Sequence, residues 1–316
     1  MAQMGEIRFG EWELATALAW SPDGEFLAIA AGNGVYLYRG QAGMAGEWER
    51  LVDLRVEALT PGLAFSPDGL WLAAGSRDGM LRVWSLEAVL GGEQKPAWQV
   101  QAHKKGVNSV HFSPLDGRLA SGGNDAVARS WELASGKLLE TTVGGTFAVP
   151  CILFTPDGQT LAVVNGQMIR LRQVGTRSII GSFRAEKQLF SAAISPDGQM
   201  LAAGDNDNHV LLWEMAQAYR TGQEQYPEPV ALTGHAGRTG NFRALVWQVV
   251  FSPDGNLLAS AGGDGLVMLW DVRGRAPLAA LVGHTAGVSG VAFRPDGRLL
   301  ASTSMDQTVR FWGVLE

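Results

Sequence analysis

The chain has 316 residues, a formal net charge of −6 at pH 7 and a hydrophobic content of 46%. This hydrophobic content is high enough to fill a large core, which excludes global disorder. The mildly acidic balance argues against nucleic acid as the main partner, and the lone cysteine, Cys151, excludes an intramolecular disulfide.

The first segment of the chain, residues 4–10 (MGEIRFG), is predicted to be a β-strand that has no partner strand before it. The segment does not contain an apolar run of signal-peptide length. Nowhere does the chain approach the roughly 18 consecutive apolar residues that a membrane-spanning helix needs. We therefore expect a cytoplasmic protein that is not attached to a membrane.

One turn, Ser-Pro-Asp-Gly or a close variant, recurs along the whole chain at spacings of 40 to 57 residues. Proline fixes φ at the second position, aspartate bonds to nearby backbone, and glycine adopts the left-handed conformation. An apolar run enters each turn and another leaves it, which is typical of a β-hairpin. The turns begin at Ser21, Ser66, Ser113, Thr155, Ser195, Ser252 and Arg294.

The last repeat contains only three predicted strands: a (residues 287–293), b (299–303) and c (308–312). Other repeats have a fourth strand, d, such as residues 276–282. We predict that residues 4–10 supply the missing strand by pairing with residues 308–312, which removes an exposed sheet edge. The sequence therefore predicts one all-β domain over residues 1–316. Its fold is a seven-bladed β-propeller of four-stranded antiparallel blades, closed by the N-terminal strand pairing in the last blade.

Three features of the repeats resemble the WD40 family. They are Gly283-His284 before a strand a, Asp264 in a b–c turn, and Trp270-Asp271 at the end of a strand c. The resemblance covers the whole chain and implies a rigid protein-interaction platform, although it is specific for the fold and not for the function.

The resemblance also implies a polar network inside a blade, which joins a His, a Ser of strand b, the turn Asp and the Trp of strand c. Three repeats match it fully: His103, Ser121, Asp125 and Trp131; His235, Ser260, Asp264 and Trp270; and His284, Ser302, Asp306 and Trp312. The second and fifth repeats keep the Asp and Trp (Asp78 and Trp84; Asp207 and Trp213) but have Ala74 and Ala203 for the Ser. The first and fourth have Tyr38 and Arg172 at the Trp position.

A Ser, a His and an Asp in one repeat also permit a catalytic-triad interpretation. The structural interpretation is favoured, because the set recurs three times with a Trp donor and buried polar groups need partners. The predicted a strands contain no Asp or Glu, which argues against a metal site in the channel. We therefore expect no catalytic residue, metal or cofactor. The alternative is a propeller hydrolase or lyase whose catalytic residues lie on loops.

In the resembled family, the d–a and b–c loops form one rim of the ring, here called the upper rim. The position two residues before the apolar core of strand a is Phe190 in the fifth repeat and Trp247 in the sixth. The d–a loop before Trp247 is about seven residues longer than the loop after His284, and it adds Arg238, Phe242 and Arg243. We hypothesise that these five residues form part of a partner-binding patch. The alternative is that the loop buries its own aromatics over the channel mouth.

The sequence thus predicts a non-catalytic scaffold or adaptor that presents its upper-rim loops to a protein or peptide partner. We expect a monomer or a subunit of a larger complex. A nucleic-acid-binding adaptor is a further alternative, since Lys104, Lys105 and Lys187 add positive charge to this rim, but phosphate binding needs several such contacts.

Overall fold

The computed structural model describes residues 1–40, 48–143, 145–176, 178–218, 226–235 and 245–313. Within them, 28 strands form seven four-stranded antiparallel sheets, which confirms the predicted seven-bladed propeller. The innermost strands contact one another in a closed cycle, so the sheets surround a central channel. Blades are numbered along the chain, and strands a to d run from the channel outward.

Strand β1 (Ala2–Arg8) comes first in the chain. Blade 1 consists of β2 (Ala15–Trp20), β3 (Phe26–Ala31), β4 (Gly34–Gly40) and β5 (Trp48–Arg55). Blade 2 consists of β6 (Gly62–Phe65), β7 (Trp71–Gly75), β8 (Met80–Ser85), helix α1 (Leu86–Leu90) and β9 (Trp98–Gln101). Blade 3 consists of β10 (Val107–Phe112), β11 (Arg118–Gly123), β12 (Val127–Glu132) and β13 (Leu138–Val143).

Blade 4 consists of β14 (Cys151–Phe154), β15 (Thr160–Asn165), β16 (Met168–Gln173) and β17 (Ile179–Arg184). Blade 5 consists of β18 (Leu189–Ile194), β19 (Met200–Asp205), β20 (His209–Glu214), helix α2 (Met215–Ala218) and β21 (Val230–Thr233). Blade 6 consists of β22 (Val246–Phe251), β23 (Leu257–Gly262), β24 (Val267–Asp271) and β25 (Ala276–Leu281). Blade 7 consists of β26 (Val288–Phe293), β27 (Leu299–Ser304), β28 (Thr308–Gly313) and, outermost, β1.

The ring is closed by β1, which pairs antiparallel with β28 from Ala2 opposite Gly313 to Arg8 opposite Thr308. This confirms the predicted closure, but the strand covers residues 2–8 and not 4–10. The strand ends at Arg8 because its partner β28 begins at Thr308, and the next N–H, that of Phe9, bonds to the carbonyl of the turn residue Gln307.

The recurring turn is held by bonds within its own few residues. In blade 1, Ser21 Oγ accepts the N–H of Phe26 at 2.9 Å, Asp23 Oδ1 accepts the N–H of Glu25 at 2.9 Å, and Gly24 has φ +72°. The Ser21 hydroxyl also donates to Asp23. Because all these contacts are local, each hairpin is specified by its own sequence.

The hydrophobic core lies between adjacent blades. Between blades 2 and 3, for example, Trp131 packs with Leu81 and Val83, which are both fully buried. Such inter-blade packing of large aromatic and aliphatic side chains supplies the apolar burial that holds the ring together. In the part of the chain that is described, neither helix has the length or the apolar run needed to cross a bilayer.

Candidate functional site

Three blades contain a buried chain of hydrogen bonds among the His, Ser, Asp and Trp residues named above. In blade 6, Trp270 Nε1 donates to Ser260 Oγ at 2.8 Å, and Ser260 Oγ lies 2.7 Å from His235 Nε2. His235 Nδ1 lies 3.0 Å from Asp264 Oδ2. In the tautomer in which Nδ1 donates to the carboxylate and Nε2 accepts, the Ser hydroxyl donates to the ring and receives the indole N–H.

Blades 3 and 7 repeat this arrangement. The bonds in blade 3 are Trp131–Ser121 at 2.9 Å, His103–Ser121 at 2.9 Å and His103–Asp125 at 2.7 Å. Those in blade 7 are Trp312–Ser302 at 2.8 Å, His284–Ser302 at 2.7 Å and His284–Asp306 at 3.0 Å. All three Ser side chains are 0% exposed. Each hydroxyl is therefore bonded on both sides and enclosed, and a substrate carbonyl does not reach it in this structure.

The electrostatics of these sets stabilise an ionised Asp. Burial opposes ionisation of Asp306, but hydrogen bonds from His284, Thr308 and the Thr285 N–H outweigh it and hold the pKa of Asp306 well below its usual range. In blade 3, burial lowers the pKa of His103 against the opposing effect of Asp125. Blade 3 therefore holds a neutral ring beside a carboxylate.

The blades that lack the Ser satisfy their Trp differently. Trp84 Nε1 donates to the carbonyl of Gln94 at 3.1 Å, and Trp213 Nε1 donates to the carbonyl of Pro227 at 3.0 Å. Both carbonyls belong to the loop between strands c and d. The Trp position thus keeps its donor bonded through the backbone, which the sequence did not indicate.

In blade 5, the turn carboxylate is not the one that the sequence pattern selected. Asp207 lies 3.6 Å from Lys187 through its Oδ2, whereas Asp205 is buried and accepts the N–H groups of Asp207 and His209 at 2.8 and 2.9 Å. His209 Nδ1 lies 3.2 Å from Asp205 Oδ2. A nearby Asp therefore takes the capping role in a blade without the upstream His.

The seven a strands line a central channel with a volume of about 1130 Å³. Among the described residues of its wall, Arg77 and His111 are the basic side chains, and none is Asp or Glu. Among the residues that the structure describes, no group of three or more His, Cys, Asp or Glu is arranged to hold a metal ion. The wall is mainly apolar, as suits the capture of an apolar segment.

A β-bulge is present at the start of strand a in five blades. The pairing with strand b skips one residue there, which turns the extra side chain toward the channel. The bulged residues are Thr16, Asn108, Phe190, Trp247 and Ser289. The corresponding residues of blades 2 and 4 are Pro61 and Pro150, and all seven line the channel. Phe190 and Trp247 are thus part of the channel wall next to the upper rim.

The polar bulge residues bind the neighbouring blade. Thr16 Oγ1 donates to the carbonyl of Thr60 at 2.9 Å, and Asn108 Nδ2 donates to the carbonyl of Val149 at 3.2 Å. Ser289 Oγ donates to the carbonyl of Ala15 at 2.6 Å. These three side chains therefore have a structural use between blades. Phe190 has no polar atom with which to do the same, and it lies one blade from Trp247 in a wall where both rings are partly buried.

Two further aromatics lie on the upper rim. Trp12, between β1 and β2, is 87% exposed and has φ +74°, a conformation that bulky residues rarely adopt. Phe147, between β13 and β14, is 58% exposed. Sequence reasoning missed Trp12, and the available signal was a Trp between two Glu residues in a segment joining two predicted strands.

Three residues of the hypothesised patch, Arg238, Phe242 and Arg243, lie outside the described residues. The structure brings Phe190 and Trp247 to adjacent blades of one channel wall. Lys187 is paired with Asp207, so part of the positive charge expected on this rim is neutralised.

The channel histidine gives a pH prediction. His111 Nδ1 accepts the N–H of Phe154 at 3.3 Å, and burial lowers the pKa of His111 to about 4. A group whose pKa falls on folding contributes stability above its unfolded pKa of about 6.5, and this contribution is lost as the pH falls toward the folded value. In His111→Asn, the amide oxygen replaces Nδ1 without titrating. Its free energy of unfolding should therefore improve relative to the wild type by up to about 3 kcal/mol between pH 7 and pH 4.

Urea unfolding of both proteins at a series of pH values measures this difference. Parallel curves for the wild type and His111→Asn would contradict the assignment of a neutral His111 with a lowered pKa.

Comparison with known proteins gives one family and a set of relatives. The family described as WD domain, G-beta repeat, matches residues 61–85, 94–132, 177–214, 229–271 and 275–313. A serine-threonine kinase receptor-associated protein of Gallus gallus is 27% identical over 222 residues, covering 70% of this chain and 57% of that protein. WD repeat-containing protein SL1-17 of Schistosoma mansoni is 33% identical over 214 residues, covering 67% of this chain and 65% of that protein. A periodic tryptophan protein 2 homolog of Dictyostelium discoideum is 26% identical over 232 residues, covering 71% of this chain and 23% of that protein.

Proposed function

Because this chain belongs to the WD40 family, we propose that it is a non-catalytic scaffold whose channel binds a segment of a protein partner at the upper mouth. The observation that carries the proposal is the pair of aromatic bulge residues, Phe190 and Trp247, in adjacent blades. A bulge re-aims a side chain at the expense of a regular ladder. At this position three other blades use a polar residue to bind the neighbouring blade, whereas blade 5 uses an aromatic that cannot do so.

The chemistry of the wall favours an apolar anchor in the partner. The channel is mainly apolar, and aromatic residues at concave sites dominate the energetics of many protein interfaces. Trp12 and Phe147 offer exposed aromatic surface on the same rim. The proposed patch also includes Arg238, Phe242 and Arg243, which lie outside the described residues. The name of the Gallus gallus relative, receptor-associated protein, agrees with association with another protein.

The proposal predicts which substitutions weaken binding. Peptides selected on the immobilised wild-type protein from a displayed library of random sequences should bind Phe190→Ala and Trp247→Ala about 10- to 30-fold more weakly, as is usual for an aromatic hot spot. Arg243→Glu should weaken the binding of those selected peptides that are acidic. Isothermal titration with the synthetic peptides measures the change in Kd.

Leu278→Ala is the matched control, because Leu278 is 56% exposed on the outermost strand of blade 6. It should bind the peptides as the wild type does, and thermal unfolding should show that all variants are folded at the temperature of the titration. Peptides that bind Phe190→Ala and Trp247→Ala with unchanged Kd would remove the channel mouth as the binding site.

A further inference from the structure

The interface between blades 3 and 4 is polar at positions where the other blade interfaces are apolar. The residue before the Trp position of strand c is Ser130 in blade 3, and it is apolar in the other six blades. Those residues are Leu37, Val83, Leu171, Leu212, Leu269 and Phe311. The strand-d residue on the same face is Thr142, and its six counterparts are also apolar. They are Ile7, Leu54, Val100, Phe183, Leu232 and Leu281.

The residue opposite these hydroxyl groups is also an exception. Blade 4 has Arg172 where the other blades have Trp or Tyr. Arg172, Ser130 and Thr142 line one cavity, together with Arg118 and Glu140, and its apolar wall includes Phe154 and Leu161. The three residues that depart from the repeat thus lie at a single place. Substitutions scattered at random over the blades would not be expected to cluster in this way.

Two buried polar atoms of this cavity lack partners within the described part of the chain. They are Ser130 Oγ and Arg172 Nε, and Ser130 is only 6% exposed. A buried donor without a partner costs about 1–3 kcal/mol, and more when it is charged. The cavity has a volume of about 10 Å³, which is room for one water-sized body.

The charge around the cavity favours an anion over a neutral occupant. Arg118 is already paired with Asp116 at 2.6 Å, so the charges that act on the Arg172 guanidinium are those of Arg170 and Glu140. Burial and then Arg170 lower the pKa of Arg172, whereas Glu140 raises it with the smallest of the three effects, so Glu140 compensates the positive charge of Arg172 only in part. A hydroxyl and a guanidinium N–H can both donate to one small anion.

We propose that the cavity between blades 3 and 4 binds a single small inorganic anion of the halide class, held by Ser130 Oγ, Thr142 Oγ1 and Arg172 Nε. The anion links strands c and d of blade 3 to strand c of blade 4. The site is distinct from the channel mouth and does not depend on what the channel binds.

Thermal unfolding in sodium chloride and in sodium gluconate at equal ionic strength tests the site, because gluconate is too large for the cavity. The wild-type Tm should be roughly 2 to 4 °C higher in chloride at about ten times the Kd. Ser130→Ala and Thr142→Val each remove one hydroxyl and should reduce this difference by at least half. Thr141→Val is the matched control, because the neighbouring Thr141 is exposed and is not part of the cavity.

Crystals of the wild type grown in sodium bromide provide a second readout that does not depend on variants. An anomalous bromide peak between Ser130 and Arg172 would support the proposal. A water without anomalous signal at that place, or a chloride effect on Tm that Ser130→Ala and Thr142→Val leave unchanged, would overturn it.

Discussion

Removal of residues 1–8 is expected to be the most damaging small truncation of this protein. The deletion takes away β1, which forms six residue pairs with β28. It also removes Ile7, which is partly buried against a core cluster, and the Arg310 contacts with Gln3 and Glu6 at 2.5 and 3.5 Å. At about 1 kcal/mol for each ladder hydrogen bond, with the lost apolar burial added, the free energy of unfolding should fall by about 5 kcal/mol or more. This is a large part of the stability of an ordinary domain.

The truncation should also change the oligomeric state, because the unpaired edge of β28 becomes a template for another chain. Urea unfolding and size-exclusion chromatography with light scattering measure the two effects. A synthetic peptide of residues 1–10 should restore both the Tm and the monomer as its concentration rises. The same peptide with Ile7→Pro is the control, since proline lacks the ladder donor. A truncated protein as stable as the wild type would show that closure by β1 contributes little.

The repeated turn explains why the fold could be predicted from the sequence. The bonds of Ser21 and Asp23 involve residues no more than five positions apart. The short turn motif is therefore sufficient to predict the position of each hairpin. Seven such turns at similar spacing then define the blades. The limits of β1 were less accurate because they depend on the strand at the far end of the chain, with which it pairs.

Parts of the site depend on contacts between distant segments and could not be predicted in the same way. At Phe190 the register of β18 against β19 shifts by one residue, which produces the bulge. This register cannot be predicted from the sequence of one strand alone. Arg172 was recognisable as a departure from the repeat. That it faces Ser130 and Thr142 follows only from the order of blades in the ring. Trp12 is 87% exposed at a backbone φ of +74°, and the sequence did not indicate either property, because a Trp is more often buried.

Ser260→Ala is expected to destabilise the protein by about 2 to 4 kcal/mol, far more than the loss of one oxygen atom implies. The hydroxyl accepts the N–H of Trp270 at 2.8 Å and contacts His235 Nε2 at 2.7 Å, in a side chain that is 0% exposed. Its removal leaves two buried polar groups without partners, and each costs about 1–3 kcal/mol. Urea unfolding measures the loss, and the same change at the exposed Ser178 should stay within about 0.5 kcal/mol.

A double substitution separates the polar chain from simple packing. When both partners of a buried hydrogen bond become apolar, the net cost is small, so His235→Leu with Ser260→Ala should be less damaging than the sum of the two single changes. Blades 2 and 5 already show how an Ala is tolerated at this position, because Trp84 and Trp213 donate to loop carbonyls. In the wild type, the Trp270 N–H donates to Ser260 and not to a loop carbonyl. Additive effects in the double variant would mean that His235 and Ser260 stabilise blade 6 independently. The hydrogen bond between them would then not contribute to the free energy of unfolding.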